Sequence, residues 1–204
     1  MDKQKIICLE GIVGSGKTTQ LEMLQKFLSP DSHIILELNQ FSPMEEEIEK
    51  WKKKAKYNNY KYQREDIINL AKARAETQKR LIKQTRESKY ILMDRGIYTS
   101  TVFESNPLNQ DEIEKINIRE GVIIPNQCII LECAPEIALG RVDKRRIALG
   151  KYSHRAHHET IERIKEIVGL YRELTIKYSQ IKIINSSGNA RETFSKVLEV
   201  LNYD

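Results

Sequence analysis

The sequence has no Cys-x-x-Cys pair, no continuous apolar run long enough to cross a bilayer, and no large excess of charge of either sign. Each shortage removes a class. The three cysteines, Cys8, Cys128 and Cys133, are scattered through apolar, strand-like runs. That placement predicts buried thiols in a reducing compartment and argues against a disulfide or zinc framework. A spanning helix needs about 20 mostly apolar residues in a row, and none is present. The first residues run into a core strand rather than a signal peptide, so the expectation is a soluble, cytoplasmic protein with no membrane partner. The 34 basic and 29 acidic residues leave a net charge of +5. This is too balanced for a dedicated partner of nucleic-acid polymers, and basic side chains around a bound polyanion would account for the excess.

The 204 residues are 40% hydrophobic and 31% charged, which suits one compact domain with a sizeable core. Short apolar runs alternate with helical periodicity. Strands are predicted at Gln4–Glu10, His33–Leu38, Tyr90–Met93, Gln127–Cys133 and Ile181–Ile184. Helices are predicted at Lys17–Leu28, Gln63–Glu87, Asp111–Glu120, Pro135–Arg145, Glu159–Tyr178 and Ala190–Leu201, with a charged helical region from Met44 to Tyr62. Continuously apolar strands between helices indicate a parallel sheet of five strands covered on both faces, a three-layer α/β fold. In such folds ligands collect beyond the C-terminal strand ends.

Directly after the first strand comes Gly11-Ile12-Val13-Gly14-Ser15-Gly16-Lys17-Thr18. A glycine, four free positions and then Gly-Lys-Thr is the phosphate-binding loop pattern, here in its confirming strand-to-helix context. Gly11, Gly14 and Gly16 let the backbone curl so that successive N–H groups, with the helix N-terminus, face phosphate oxygens. Lys17 would reach the β- and γ-phosphates, the Thr18 hydroxyl would ligate Mg²⁺, and Ser15 and Thr19 complete the loop. A nucleotide and Mg²⁺ are the expected ligands of the motif. The bland alternative is a glycine-rich turn opening an ordinary helix.

Acids stand at other strand ends. Asp94 closes the third strand beside Arg95, where an acid can hold Mg²⁺ through water and an arginine can fork onto phosphate oxygens; a structural ion pair is the alternative. Glu37 ends the second strand and would serve as a general base for an acceptor hydroxyl, or as a helix cap. Arg141, Arg145, Arg146 and Arg155 bracket a basic, weakly periodic stretch at Arg146–His158. Guanidinium groups there suit a short lid over a transferring phosphoryl group, against the plainer reading of a solvated charge run. Arg74 lies among Leu70, Ala71 and Ala73, so it would point at a bound acceptor or be ordinary surface charge. The histidines His154, His157 and His158 lack a companion set of metal ligands.

These residues together resemble the thymidylate kinase and deoxynucleoside kinase family of phosphate-loop enzymes. The likeness runs from Leu9-Glu10-Gly11 through Gly16-Lys17-Thr18-Thr19-Gln20 to Asp94-Arg95, Pro125-Asn126, Pro135–Arg145 and Tyr171–Leu174. The ends of the chain are similar to thymidylate kinases. Val13, where that branch has an aspartate, and Glu37-Leu38-Asn39, where it has Glu-Pro-Gly-Gly, are departures. Glu37, Tyr62-Gln63 and Ile97-Tyr98 look more like the deoxynucleoside kinases. The resemblance implies ATP-dependent phosphoryl transfer to a nucleoside monophosphate such as dTMP, with Arg74, Arg95, Gln63 and Tyr98 on the acceptor and Arg141 and Arg145 on the donor side. It implies a homodimer as well. The alternative it carries is transfer to a nucleoside 5′-hydroxyl, with Glu37 as base and Gln63 on the acceptor's nucleobase. A switch-type GTPase or an ATPase with a protein partner is more distant, since Asn185-Ser186-Ser187-Gly188 does not supply an Asn-Lys-x-Asp guanine pattern.

Overall fold

A computed structural model of the protein describes residues 4–29, 31–35, 50, 53, 62–104, 108–150 and 159–203. Its five strands are β1 (Lys5–Gly11), β2 (Ser32–Ile35), β3 (Tyr90–Asp94), β4 (Gln127–Glu132) and β5 (Ile181–Asn185). Its helices are α1 (Lys17–Leu28), α2 (Arg64–Gln84), α3 (Ile97–Phe103), α4 (Gln110–Arg119), α5 (Pro135–Ala148), α6 (Ile161–Lys177) and α7 (Ala190–Val200). The strands form one parallel sheet in the order β2-β3-β1-β4-β5. Strand burial follows that order. Ile7, Cys8, Leu9 and Glu10 in β1, and Cys128 to Leu131 in β4, are buried without alternation, whereas edge strand β5 buries Ile181 and Ile184 and exposes Lys182. A central parallel strand is covered on both faces and so reads as continuously apolar.

By contacts the chain forms two compact units: residues 1–8 with 28–126, and residues 9–27 with 127–204. In the first, β2 pairs with β3 in register from Ser32↔Tyr90 to Ile35↔Met93. Its core gathers Ile67, Leu70 and Ala71 from α2, Ile91 to Met93 from β3, Ile97, Tyr98 and Val102 from α3, and Ile113 and Ile116 from α4. In the second, β4 pairs with β5 from Cys128↔Ile181 to Glu132↔Asn185. There Leu21 and Leu24 of α1, Ala138, Leu139 and Val142 of α5, and Ile164, Ile167, Tyr171 and Leu174 of α6 are buried.

Helix ends follow from local sequence. Asn109 and Asn189 cap α4 and α7, each accepting from the backbone N–H three residues on while Glu112 and Glu192 reach back to the capping residue's own N–H. This reciprocal arrangement satisfies amides that a helix start leaves open. Pro135 occupies the first turn of α5, where its missing N–H costs nothing.

The elements expected within the described residues are present with end shifts of a few residues, and one was missed. Ile97–Phe103 is helical, although seven residues rich in Thr and β-branched side chains carry little helix propensity; burial of Ile97, Tyr98 and Val102 holds it. Helix α5 continues past Arg145 to Ala148, so the start of the stretch expected as a lid is helical. Residues 151–158, with Arg155 and three of the histidines, lie outside the described residues, as do Glu37 and most of 44–61. All three cysteines are buried, as expected. Among the described residues no helix is long and apolar enough to cross a membrane.

Candidate active site

The phosphate loop joins β1 to α1. Gly11, Gly14 and Gly16 have φ values of +135°, +75° and +94°, backbone that L side chains rarely adopt. Space matters as well at two of them. A Cβ on Gly11 would collide with the Leu131 carbonyl, and one on Gly14 with the Ala138 carbonyl, whereas Gly16 has open space. The loop is therefore seated on β4 and on the first turns of α5. Lys17 is 8% exposed, and its Nζ donates to the carbonyls of Gly11 and Ile12 at 2.9 Å each. These bonds bend the ammonium over the loop's own concavity. Ser15 Oγ is buried beside Gly11 and has no hydrogen-bond partner among the described residues. Thr18 and Thr19 are exposed at the start of α1.

An inward lysine, an orphaned hydroxyl, left-handed glycines and a helix N-terminus are what a polyphosphate requires. An exposed threonine hydroxyl is a hard oxygen donor of the kind Mg²⁺ accepts alongside phosphate oxygens and water. The residues present fit Mg²⁺-ATP.

Around the loop, Arg141 of α5 is tied inward. Its Nη1 donates to Gly14 O at 3.3 Å and Ser186 O at 3.0 Å, and its Nη2 to Ser187 O at 3.2 Å and Gly188 O at 2.8 Å. Gln20, just past the loop, donates to Ala190 O at 2.9 Å. The turn after β5 is thus fastened to the phosphate loop from two sides. Arg145 is exposed on α5, and Arg146 pairs with Glu159. Beside Arg141, burial pushes the Cys133 thiol above its ordinary value, against the opposing pull of Arg141, a hydrogen bond with Ser186, and Lys17.

In the other unit, Asp94 ends β3 and Arg95 follows with φ +70°. A left-handed arginine costs roughly 1–3 kcal/mol, and such strain gathers at functional positions. Its guanidinium folds along α3, donating to Thr99 Oγ1 at 3.4 Å and lying 5.2 Å from the centre of the Phe103 ring. Arg74, Ser100, Glu104 and Asn117 form a buried polar cluster. Tyr98 is 1% exposed on α3. Gln63 is exposed at the N-terminus of α2, where its backbone N–H donates to Asp66 at 2.9 Å.

The thymidylate kinase family model matches residues 9–197, from the strand before the loop into the last helix. The chain belongs to the thymidylate kinase family. It is 28% identical over 207 residues to the thymidylate kinase of Clostridium novyi, covering 97% of this chain and 98% of that one. Against the probable thymidylate kinase of Sulfolobus acidocaldarius it is 30% identical over 214 residues, with 97% and 98% covered. The thymidylate kinase structure from Ehrlichia chaffeensis shares its fold, with a TM-score of 0.68 at 16% identity over 98% of this chain and 99% of that one. That of Candida albicans does so with a TM-score of 0.69 at 17% identity, over 98% and 92%. As a member of the thymidylate kinase family this chain is an ATP-dependent phosphotransferase, a nucleotide or nucleoside kinase.

Sequence reasoning placed the phosphate loop, Asp94 and Arg95 at the strand ends where the structure has them. It missed Glu104 and Asn117 as partners of Arg74, and Tyr171 as the partner of Glu10. One signal was present for Asn117: a polar residue next to Ile116 and four after Ile113, on the apolar stripe of α4.

Proposed function

We propose that this member of the thymidylate kinase family transfers the γ-phosphoryl group of ATP to dTMP, yielding dTDP and ADP. A phosphate oxygen of dTMP bonds to the γ-phosphorus as the bond to the β,γ-bridging oxygen breaks, and ADP leaves with that electron pair. The observation that carries the reading is the phosphate loop, with Lys17 turned inward and Ser15 orphaned, inside a family match that spans residues 9–197. Bound Mg²⁺-ATP supplies the phosphoryl group with its charge partly neutralised. Gly11, Gly14, Ser15 and Gly16 offer the loop's donors, Lys17 neutralises the β- and γ-phosphates, and Thr18 ligates Mg²⁺. Asp94 serves the metal through water, Arg95 forks onto phosphate oxygens, and Arg145 screens the moving group. Arg74, Gln63 and Tyr98 serve the acceptor. The rest of the reading is a single domain with a lid over 146–158, acting in the cytoplasm as a homodimer.

The test is product analysis with ATP and Mg²⁺ against dTMP and thymidine in parallel. Formation of dTDP from dTMP supports the proposal. Turnover of thymidine without turnover of dTMP overturns it and makes Glu37 the base of a nucleoside kinase. ATP hydrolysis indifferent to every acceptor overturns it in favour of an ATPase. In a control, Lys17→Ala loses about 100-fold or more of kcat/KM, as expected when a cation facing the transferred charge is removed; normal turnover there would discredit the loop's role.

A further inference from the structure

Four buried polar side chains in the first unit close a ring. Arg74 comes from α2, Ser100 from α3, Glu104 from the cap just past α3, and Asn117 from α4; they are 6%, 0%, 7% and 0% exposed. Asn117 Nδ2 donates to the Ile113 carbonyl at 2.8 Å, and Asn117 Oδ1 accepts from Arg74 Nη1 at 3.0 Å. A carbonyl only accepts and a guanidinium only donates, so both neighbours demand the same amide orientation. The second amide hydrogen goes to Ser100 Oγ at 3.0 Å. Ser100 then donates its own hydrogen to Glu104 Oε2 at 2.5 Å, and Glu104 Oε1 accepts from Arg74 Nη2 at 3.3 Å. Within the ring, every donated hydrogen leads from Arg74 toward Glu104 by one of two routes. Glu104 accepts at both oxygens, Oε1 and Oε2.

A buried ion pair adds little net stability over an apolar substitute of similar shape, because desolvating both charges offsets their attraction. What the ring does is fix direction. It pins the plane of the Arg74 guanidinium from two sides, through one amide and one carboxylate. Of five guanidinium N–H groups, two are used in the ring and three have no partner among the described residues. Glu104 and Ser100 also tie down the side of α3 next to the one along which Arg95 lies, over Thr99 and Phe103.

We propose that Glu104 and Asn117 are positioning residues for the acceptor nucleotide, acting through Arg74. This rests on the reading of Arg74 as an acceptor contact. A guanidinium held in one orientation meets its ligand without losing further rotamer freedom, whereas a released Arg74 samples several orientations and binds more weakly.

The test is steady-state kinetics with dTMP and ATP varied separately, beside urea unfolding. Glu104→Gln breaks the relay, since a neutral amide cannot accept at both ends. It raises the KM for dTMP by about tenfold, the equivalent of one charge-assisted hydrogen bond, while the KM for ATP moves by less than about twofold. Asn117→Ser, which cuts the amide route and leaves the ion pair, raises the same KM and carries the test if Glu104→Gln does not fold. The double variant Arg74→Met/Glu104→Gln removes both charges together. Its KM for dTMP equals that of Arg74→Met alone, because a residue acting through Arg74 has nothing to act on once Arg74 is gone. A lowered unfolding midpoint with an unmoved KM for dTMP in Glu104→Gln and Asn117→Ser, or multiplicative effects in the double variant, overturns the positioning role. An unmoved KM for dTMP in Arg74→Met overturns the reading of Arg74 itself, and the proposal with it.

Discussion

The hydroxyl of Tyr171 donates a 3.0 Å hydrogen bond to Oε2 of Glu10, a carboxylate with no exposed surface. Glu10 is the residue before the first glycine of the phosphate loop. The next residue on α6, Arg172, donates to Glu132 at the end of β4 through Nε at 3.0 Å and Nη2 at 2.5 Å. Neighbouring residues of one helix therefore hold the end of β1, from which the loop leaves, and the end of β4, on which it is seated. The pairs differ in surroundings: Tyr171 is 1% exposed, whereas the Arg172 side chain is 63% exposed.

Tyr171→Phe should separate these pairs. It removes one donor from a buried carboxylate and leaves packing nearly intact, so unfolding free energy should fall by about 1–3 kcal/mol. Arg172→Ala removes an exposed pair that solvent screens and should shift the urea midpoint much less. Equal shifts in the two variants would mean that the Tyr171 bond contributes no more than a surface contact.

Two glycines of the loop make a second contrast. Gly14 and Gly16 both have positive φ, so alanine at either strains the backbone by about 1–2 kcal/mol. Only at Gly14 does the added Cβ also meet backbone, the Ala138 carbonyl. Without nucleotide, Gly14→Ala should therefore lower the thermal midpoint clearly more than Gly16→Ala. Comparable midpoints would show that α5 yields to the methyl group at little cost.

The same two positions show what the sequence could carry. The loop was legible because a local backbone requirement writes itself into glycine spacing and the chain order strand–loop–helix. The parallel sheet was legible from unalternating apolar runs. Helix α3 was not, because its propensity is weak and it is held by the burial of Ile97, Tyr98 and Val102, which local propensity does not carry. Nor were the partners of Arg74. Glu104 and Asn117 lie 30 and 43 residues away, and no local pattern encodes a contact at that range. Arg141 was expected on phosphate because its charge could be read; the carbonyls that take up its donors could not.

Cys133 sets a pH dependence. Burial raises its thiol above the ordinary value of 9.0. Below that value folded and unfolded chains both hold the proton. As pH rises past it, the unfolded chain releases its proton while the folded chain keeps it, so stability falls toward the raised folded value. Cys133→Ala removes this contribution. The loss of urea midpoint between about pH 8 and pH 10 should thus be smaller in the variant than in the parent, with ordinary lysine titration common to both. Parallel declines would mean that the thiol titrates alike folded and unfolded.

Arg141→Lys tests whether the turn after β5 and the phosphate loop work as one body. An ammonium carries three donors from a single point, whereas the guanidinium fork of Arg141 reaches Gly14, Ser186, Ser187 and Gly188 at once. Lysine keeps the charge, so any purely electrostatic role on phosphate would survive the substitution. Loss of the fork should instead free the carbonyls of the turn and slacken Gly14. The expected result is a severalfold rise in the KM for ATP with a smaller change for dTMP, together with faster amide hydrogen exchange across 186–190. Gln20 still holds Ala190, so the turn should loosen rather than detach, and exchange at Ala190 should change least. An unchanged KM for ATP with faster exchange would confine Arg141 to architecture. A raised KM with unchanged exchange would assign it to direct contact with the nucleotide.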